Sequence, residues 1–508
     1  MIELTAAEIA AITRGRIIGE PTDGSEDTAA LTVNSAATDS REVVPGSLFV
    51  AKPGEKTDGH LFVPRAFASG AVLALTEREI TDDAGRLLPQ IIVPDAVEAM
   101  GAIAADVVAR LRAHGPLSVV GITGSAGKTT TKDLLAGILA QAGPTVAPVG
   151  SYNGEVGVPL TIFNADFNTR YLVVEMGATG LGHITYLTDM VKPDTGVVLG
   201  VGTAHAGEFG GVENIARAKG ELVEAIGADG TAIINADDPR VRQMESRTTA
   251  KLLYFTADAG FSPAAADAEV LRATEVRTNA AGHPELTVRF PDGTESRIVS
   301  GLIGIHHATN LLAAASAAWS LGISAELIAS GLNGRGPASR WRMERTERPD
   351  GVTVINDAYN ANPESMRAAL RTLAELGRGE GRRTWAVLGE MLELGEDSVH
   401  EHDAIGRTLV RLNIAKLIVV GNGARAMHTG AVMEGSWGDE SMFVETPEDA
   451  YQVLQRELRP GDLVLFKSSN GAGLRHLGDR VARREPSPTA PPSGVAETPI
   501  PAEGGIQS

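Results

Sequence analysis

Not one of the 508 residues is cysteine. Disulfides, thiol nucleophiles and cysteine-ligated zinc are thereby excluded, and a reducing cytoplasm is compatible with the chain. Aromatic residues make up only 4%, too few for a stacking platform along single-stranded nucleic acid. Positive charge is short as well: 45 Lys+Arg stand against 64 Asp+Glu, a formal net charge of −19. Phosphate neutralisation drives nucleic-acid binding, so no nucleic-acid partner is expected. A small anionic substrate held by a few local donors remains compatible. No apolar run approaches the roughly 20 residues of a membrane helix. The opening MIELTAAEIAAITRGRIIG carries acids early, in the manner of an amphipathic helix and not of a signal peptide. A cytoplasmic protein without membrane insertion is the expectation.

What is present is a globular composition, 43% hydrophobic, in a chain long enough for about three domains. Residues 1–112 open with a helix, pass through short β-like runs (47–51, 71–76, 90–93), and close on an Ala/Val-rich helix before the breaker His114-Gly115-Pro116. Residues 113–336 alternate strand-like runs (118–123, 171–176, 195–201, 231–235) with helical stretches such as 211–226. Such alternation predicts a mostly parallel, doubly wound sheet. Between about 251 and 300 the period shifts toward two, predicting a small antiparallel insertion, followed by Ala-rich helices at 307–321 and 325–332. After Asn333-Gly334-Arg335-Gly336-Pro337 a third, Rossmann-like α/β unit, 337–485, restarts the alternation. The Pro/Ser/Gly-rich tail 486–508 lacks the apolar groups to fold and is expected to be disordered. The expected fold class is therefore α/β in three domains.

The sharpest motif is GITGSAGKTTTK, from Gly121 to Lys132, where a β-branched strand runs through spaced glycines into a helix-like segment. Glycines let backbone N–H groups turn toward a phosphate, and the helix N-terminus adds partial positive charge. Lys128 is placed to reach β/γ-phosphates and Thr129 to offer a hydroxyl to Mg²⁺. The strict P-loop is not matched, because Ile122 stands five positions before Gly127. Glu175 closes the strand Tyr171–Val174, the position of a metal-holding acid in such domains. His205 follows the strand and turn VVLGVGTAHAG, where the residues alone favour a histidine hydrogen-bonded within the loop over a metal ligand. On spacing alone, Lys219 reads as a helix-surface lysine near Glu221. Asn235 to Pro239 is either a nucleotide contact or a strand-to-turn signal. The polar density of Asn356 to Pro363 at a strand end favours a ligand, and Asn362-Pro363 starts the next helix.

Taken together, these stretches resemble the Mur ligases over about residues 30–475. GITGSAGKTTTK is similar to the family's ATP loop. ATDSREVVPGSLFVAKPGEKTDGH resembles its uridine-nucleotide domain, with Asp39-Ser40-Arg41 at the motif. YNGEVGVPLTIF is similar to its substrate loop with Gly154 where a second Asn is usual. EMGATGLGHI resembles the metal-site strand with His183 for a common Glu, and GIHHATN the adenine-side motif with His307 for a common Asn. INDAYNANPESM and VLGEMLELG complete the likeness in the third unit.

The resemblance implies an ATP-dependent ligase joining D-alanyl-D-alanine to UDP-N-acetylmuramoyl-tripeptide through an acyl phosphate, in peptidoglycan synthesis, acting as a monomer. It implies ATP bound by Thr123, Gly124, Ser125, Ala126, Gly127, Lys128 and Thr129, with Asn310 at adenine, Asp357 at ribose and Arg342 at the phosphates. It implies two Mg²⁺ ions on Thr129, Glu175, His205 and a carbamylated Lys219, and substrate contacts from Ser40, Arg41, Asn153 and Asn360. The family member adding the third amino acid would carry a DNPR-like motif in the last domain, and none is present. Folylpolyglutamate synthetase resembles the central unit but not the segment at Asp39 to Arg41. A nucleotide-switch ATPase remains an alternative of another class.

Overall fold

The computed structural model describes residues 1–21, 27–54, 57–202, 209–264, 268–435, 438 and 440–484. His205 and the tail 486–508 lie outside the described residues. Three large sheets carry the fold. The N-terminal sheet has five strands, in the order Arg16–Ile18, Gln90–Ile92, Ala71–Thr76, Ser47–Val50, Ser35–Ala37, parallel apart from the first pair. The C-terminal sheet has six, with Leu463–Lys467 lying between Thr353–Asn356 and Thr384–Leu388; only its edge strand Glu344–Glu347 pairs antiparallel.

The central sheet has nine strands, and Ser118–Thr123 sits between Tyr171–Glu175 and Thr195–Val198, all parallel. The register sets Glu175 beside Ile122 and Val198 beside Thr123. The glycine loop, the acidic strand end and the turn at Leu199–Gly202 thus leave the sheet at one edge, the C-terminal ends of its strands, where open α/β sheets bind ligands. The expected antiparallel insertion is corrected here. Lys251–Thr256 and Glu269–Thr278 continue the parallel sheet, and only Pro284–Arg289 and Glu295–Val299 fold back antiparallel at its edge. Their period-two pattern reflects one wet and one buried face, not a separate body.

Small residues bring the phosphate-loop helix, Lys128–Leu139, close to the Ala-rich helix His307–Ser320, and both share one core with the sheet. The helix Ala96–His114 is capped by Asp95, whose carboxylate accepts from Val97 N and Glu98 N at 2.8 Å. It packs on the N-terminal helix on one side and on Gly157–Ile162 and His183–Val191 of the central unit on the other. Apolar residues of the first two units form one continuous core, Leu48, Leu73, Ile103, Val107, Leu172 and Ile184 among them. Arg112 adds a two-point bond to Asp194, 3.0 Å to each oxygen, and Asp194 also accepts from Val119 N at 2.7 Å. Among the described residues no helix is long and apolar enough to cross a membrane.

The helix His183–Val191 starts at Gly182 without a side-chain cap of its own. Its end is closed by the buried Glu221, which accepts from Gly182 N at 2.7 Å, Thr185 N at 3.0 Å and Thr185 Oγ1 at 3.1 Å. A carboxylate at a helix N-terminus satisfies orphan amides and the helix dipole together. Glu221→Ala is expected to cost about 1–2 kcal/mol, read as a fall in Tm.

Candidate nucleotide and metal site

The loop after Ser118–Thr123 is held open for a ligand by its glycines. Gly124 and Gly127 have φ of 156° and 84°, conformations that side chains disfavour. Gly127 caps the following helix and, having no side chain, gives its N-terminal amides no capping bond. A Cβ on Gly127 would come within 2.3 Å of Asn310 Oδ1. Ser125 ties the loop to the next strand end, its N–H donating to Gly200 O at 3.0 Å and its hydroxyl accepting from Gly202 N at 2.8 Å. Thr123 donates to Met176 O at 2.9 Å, and Ala126 is exposed. Lys128 folds back on Gly124 O at 2.8 Å. Burial pushes its ammonium below the ordinary lysine value, Glu175 opposing and Arg342 reinforcing the shift.

Glu175 is 1% exposed. Its carboxylate accepts from Thr129 Oγ1 at 2.9 Å on one oxygen, and from Ser151 Oγ and Asn153 Nδ2, each at 2.8 Å, on the other. Thr129 and Glu175 are hard oxygen donors of the kind Mg²⁺ takes. Lys219 is buried, correcting the surface reading; burial and, second, Lys128 push its pKa down to about 7. Glu221, its supposed partner, is committed to the helix at Gly182. As an ammonium Lys219 does not fit a metal site, whereas a carbamate would supply oxygens. Among the described residues no cluster of three or more His, Asp or Glu forms a metal cage.

The third unit reaches into the same place. Arg342 Nη2 donates to Thr129 Oγ1 at 3.1 Å, with its guanidinium 4.4 Å from the Tyr359 ring. Asn362 caps its own helix through Ser365 and donates to Ser125 O at 3.4 Å. Ser339 N donates to Asp133 Oδ2 at 3.0 Å. Asp357 accepts from Met343 N at 3.0 Å and from the buried Lys467 at 2.6 Å. Asn310 is buried, its amide nitrogen 3.0 Å from His307 Nδ1 and its oxygen 3.4 Å from Thr131 Oγ1. The rings of His306 and His307 lie 4.1 Å apart, and burial pushes His306 down to about 4.

Other positions fall further from this cluster. Ser40 is buried, and the exposed Arg41 pairs with Asp39 at 2.5 Å, which helps hold the Asp39 carboxyl down to about 2. Burial raises the Tyr152 hydroxyl above its ordinary value, with smaller contributions in the same direction from Glu42, Tyr359 and Asp39. Asn360 is exposed. Asn235 and Asp238 resolve toward structure: Asn235 Nδ2 donates to Leu199 O at 2.6 Å, and Asp238 accepts from Val201 N at 2.8 Å while capping Pro239–Arg242. Sequence reasoning missed Ser151 and Lys467; a serine two residues before Asn153 and a lysine ending an apolar strand carry no local signal of their role.

Between its folded value of about 7 and the ordinary 10.5, Lys219 binds more protons in the unfolded chain than in the folded one. Stability therefore rises with pH across that window. In magnesium- and bicarbonate-free buffer, melting curves of the wild type should gain on those of Lys219→Met as pH rises through it.

Three family models match the chain: Mur ligase family, catalytic domain, over 32–108; Mur ligase middle domain over 122–318; and Mur ligase, glutamate ligase domain, over 341–470. UDP-N-acetylmuramoyl-tripeptide–D-alanyl-D-alanine ligase of Mycobacterium leprae is 42% identical, covering 94% of this chain and 98% of its own length. The Escherichia coli ligase of the same name is 32% identical over 87% and 92%. A crystal structure of MurF from Acinetobacter baumannii superposes with a TM-score of 0.79 at 29% identity, covering 95% of this chain and 99% of that one. MurF ligase from Thermotoga maritima in complex with ADP gives 0.70 at 26%, covering 89% and 99%.

Proposed function

The chain belongs to the Mur ligase family, and from that premise we infer that it joins D-alanyl-D-alanine to UDP-N-acetylmuramoyl-tripeptide with ATP, forming an amide bond in peptidoglycan synthesis. The choice of this ligation within the family is carried by one observation, the 42% identity to a relative of that name across nearly the whole of both chains.

We propose that Lys128 and the amides of Gly124 to Thr129 hold the β- and γ-phosphates, with Arg342 meeting them from the third unit. Asn310 is the adenine contact and Asp357 the ribose contact; the approach of Asn310 to Gly127 supports the first. Thr129 and Glu175 would hold one Mg²⁺; Glu175, His205 and carbamylated Lys219 would support a second. Bound there, Mg²⁺ supplies charge neutralisation for phosphoryl transfer. A lysine amine must be neutral to take up CO₂, and the depressed Lys219 value favours that form. Ser40 and Arg41 serve the uridine end of the nucleotide substrate, Asn153 and Asn360 its peptide.

The terminal carboxylate of the tripeptide attacks the γ-phosphorus and ADP departs, leaving an acyl phosphate. Lys128 and Arg342 offset the charge that builds on the transferred oxygens. The dipeptide amine then adds to the acyl carbon, and the tetrahedral intermediate expels phosphate as the amine loses its proton. Water competes with the amine for the acyl phosphate, so a site closed by three units suits the chemistry. All these groups come from one chain, supporting a monomer, and the soluble nucleotide substrates support a cytoplasmic setting. The proposed division into 1–112, 113–336 and 337–485 is supported by the three large sheets, each of which lies within one of these ranges.

Mass spectrometry of products from ATP, D-alanyl-D-alanine and UDP-tripeptides ending in lysine or in diaminopimelate tests the assignment. Ligated UDP-pentapeptide is expected; ATP hydrolysis indifferent to both acceptors would point instead to a nucleotide switch. In the same assay Lys128→Ala should lose turnover by about 10²-fold or more while staying folded. Lys219→Arg, which cannot be carbamylated in this way, should be inactive, and Lys219→Ala partly rescued by acetate.

A further inference from the structure

The segment that delivers Arg342 is held in a conformation its sequence does not favour. Trp341 and Met343, on either side, have φ of 59° and 53°. Non-glycine residues rarely enter that left-handed region, and they stay there only where the surroundings over-determine them. Downstream the hold is Asp357, accepting from Met343 N at 3.0 Å. Upstream two carboxylates hold it: Glu344, which accepts from Trp341 N at 2.9 Å and Arg340 Nε at 3.4 Å, and Asp479, on the helix Leu474–Arg483, which grips the two side chains. Asp479 accepts from Arg340 Nη2 at 2.9 and 3.0 Å and from Trp341 Nε1 at 3.1 and 3.2 Å. It also takes Asn356 Nδ2 at 3.0 Å, on the residue preceding Asp357, so both holds are referred to one helix. Its side chain is 17% exposed. The Trp341 ring lies near parallel to Tyr359, 6.4 Å between centroids, and Tyr359 in turn supports the Arg342 guanidinium.

We propose that Asp479 is a positioning residue for the ligation: by gripping Arg340 and Trp341 it fixes the backbone that aims Arg342 across the joint at the phosphate loop. It acts through Arg342, and so rests on the reading of Arg342 as a phosphate contact. A guanidinium that strengthens its hold as charge develops must already be in place when the phosphoryl group moves. The indole bond and the arginine Nη2 bond share one carboxylate, so removing its charge loosens both at once.

The test is steady-state kinetics of the full chain as wild type, Asp479→Asn, Arg342→Ala and the double variant, with melting curves to show that each is folded. Asp479→Asn should lower kcat about tenfold while leaving KM for the UDP-tripeptide unchanged. The double variant should be no slower than Arg342→Ala alone, because two residues acting through one contact are not additive. Should Asp479→Asn not fold, Trp341→Phe removes only the indole donor and should give a smaller loss in kcat with the same non-additivity. Additive losses, or full activity of a folded Asp479→Asn or Trp341→Phe, overturn the positioning role and leave the phosphate role of Arg342 standing. Wild-type kinetics in Arg342→Ala overturn both.

Discussion

The burial of two lysines beside the phosphate loop governs the centre of this molecule. Lys128 lies near the buried carboxylate of Glu175, which is already satisfied by Thr129, Ser151 and Asn153, and Arg342 reaches Thr129 from the third unit. Burial is the first cause that holds each lysine below its ordinary value, Lys219 at about 7; the charge of Lys128 adds to the shift of Lys219, while at Lys128 Glu175 opposes the shift and Arg342 reinforces it. Burying like charges together is costly unless something compensates. A polyphosphate is a compensation of matching sign, and the N-terminus of Lys128–Leu139, without a capping side chain from Gly127, points the same way. The chain as a whole is acidic, so this local excess is built by the fold and not inherited from composition.

Two kinds of joint surround that centre. The first and second units share an apolar core through Ala96–His114, reinforced by Arg112 on Asp194. The third meets the phosphate loop through polar contacts, Arg342 on Thr129, Asn362 on Ser125 and Ser339 on Asp133. Hydrogen bonds of that kind exchange with water at little net change, whereas opening an apolar core exposes surface. At the phosphate loop the joint of the third unit is thus the more readily exchanged one, although Ile303 of the central unit also packs into its core, and it is this unit that carries Arg342 and Asp357.

The fold was legible where a strand and its chemistry sit side by side in sequence. Ser118 to Lys132 declares strand, turn and helix in one stretch, and Glu175 ends an apolar run, so both could be placed at a sheet edge. Lys219 could not be placed by pattern; its burial depends on the packing of Val212–Glu224 against the sheet, and only the family resemblance singled it out. The helix His183–Val191 has no cap in its own sequence because Glu221, on another helix, supplies it. Leu474–Arg483 likewise starts on Gly473 without a capping side chain. The strand Thr145–Val146 is too short for any period to register. Asp479 and Lys467 acquire their roles only when strands and helices more than a hundred residues apart are brought together.

The apolar core common to the first two units also bears on the order in which a ribosome delivers the chain. The five strands of the N-terminal sheet are complete once Gln90–Ile92 has emerged. Yet the helix that follows them, Ala96–His114, has half of its partners in Gly157–Ile162 and His183–Val191, still to be synthesised. For the time it takes to add some eighty residues, at about 5–20 residues per second, the face around Gly101, on which Tyr186 and Met190 come to lie, has no finished surface to rest against. The nascent chain thus carries an apolar helix face through the making of the phosphate loop, and Glu175 arrives only as that face is about to be covered.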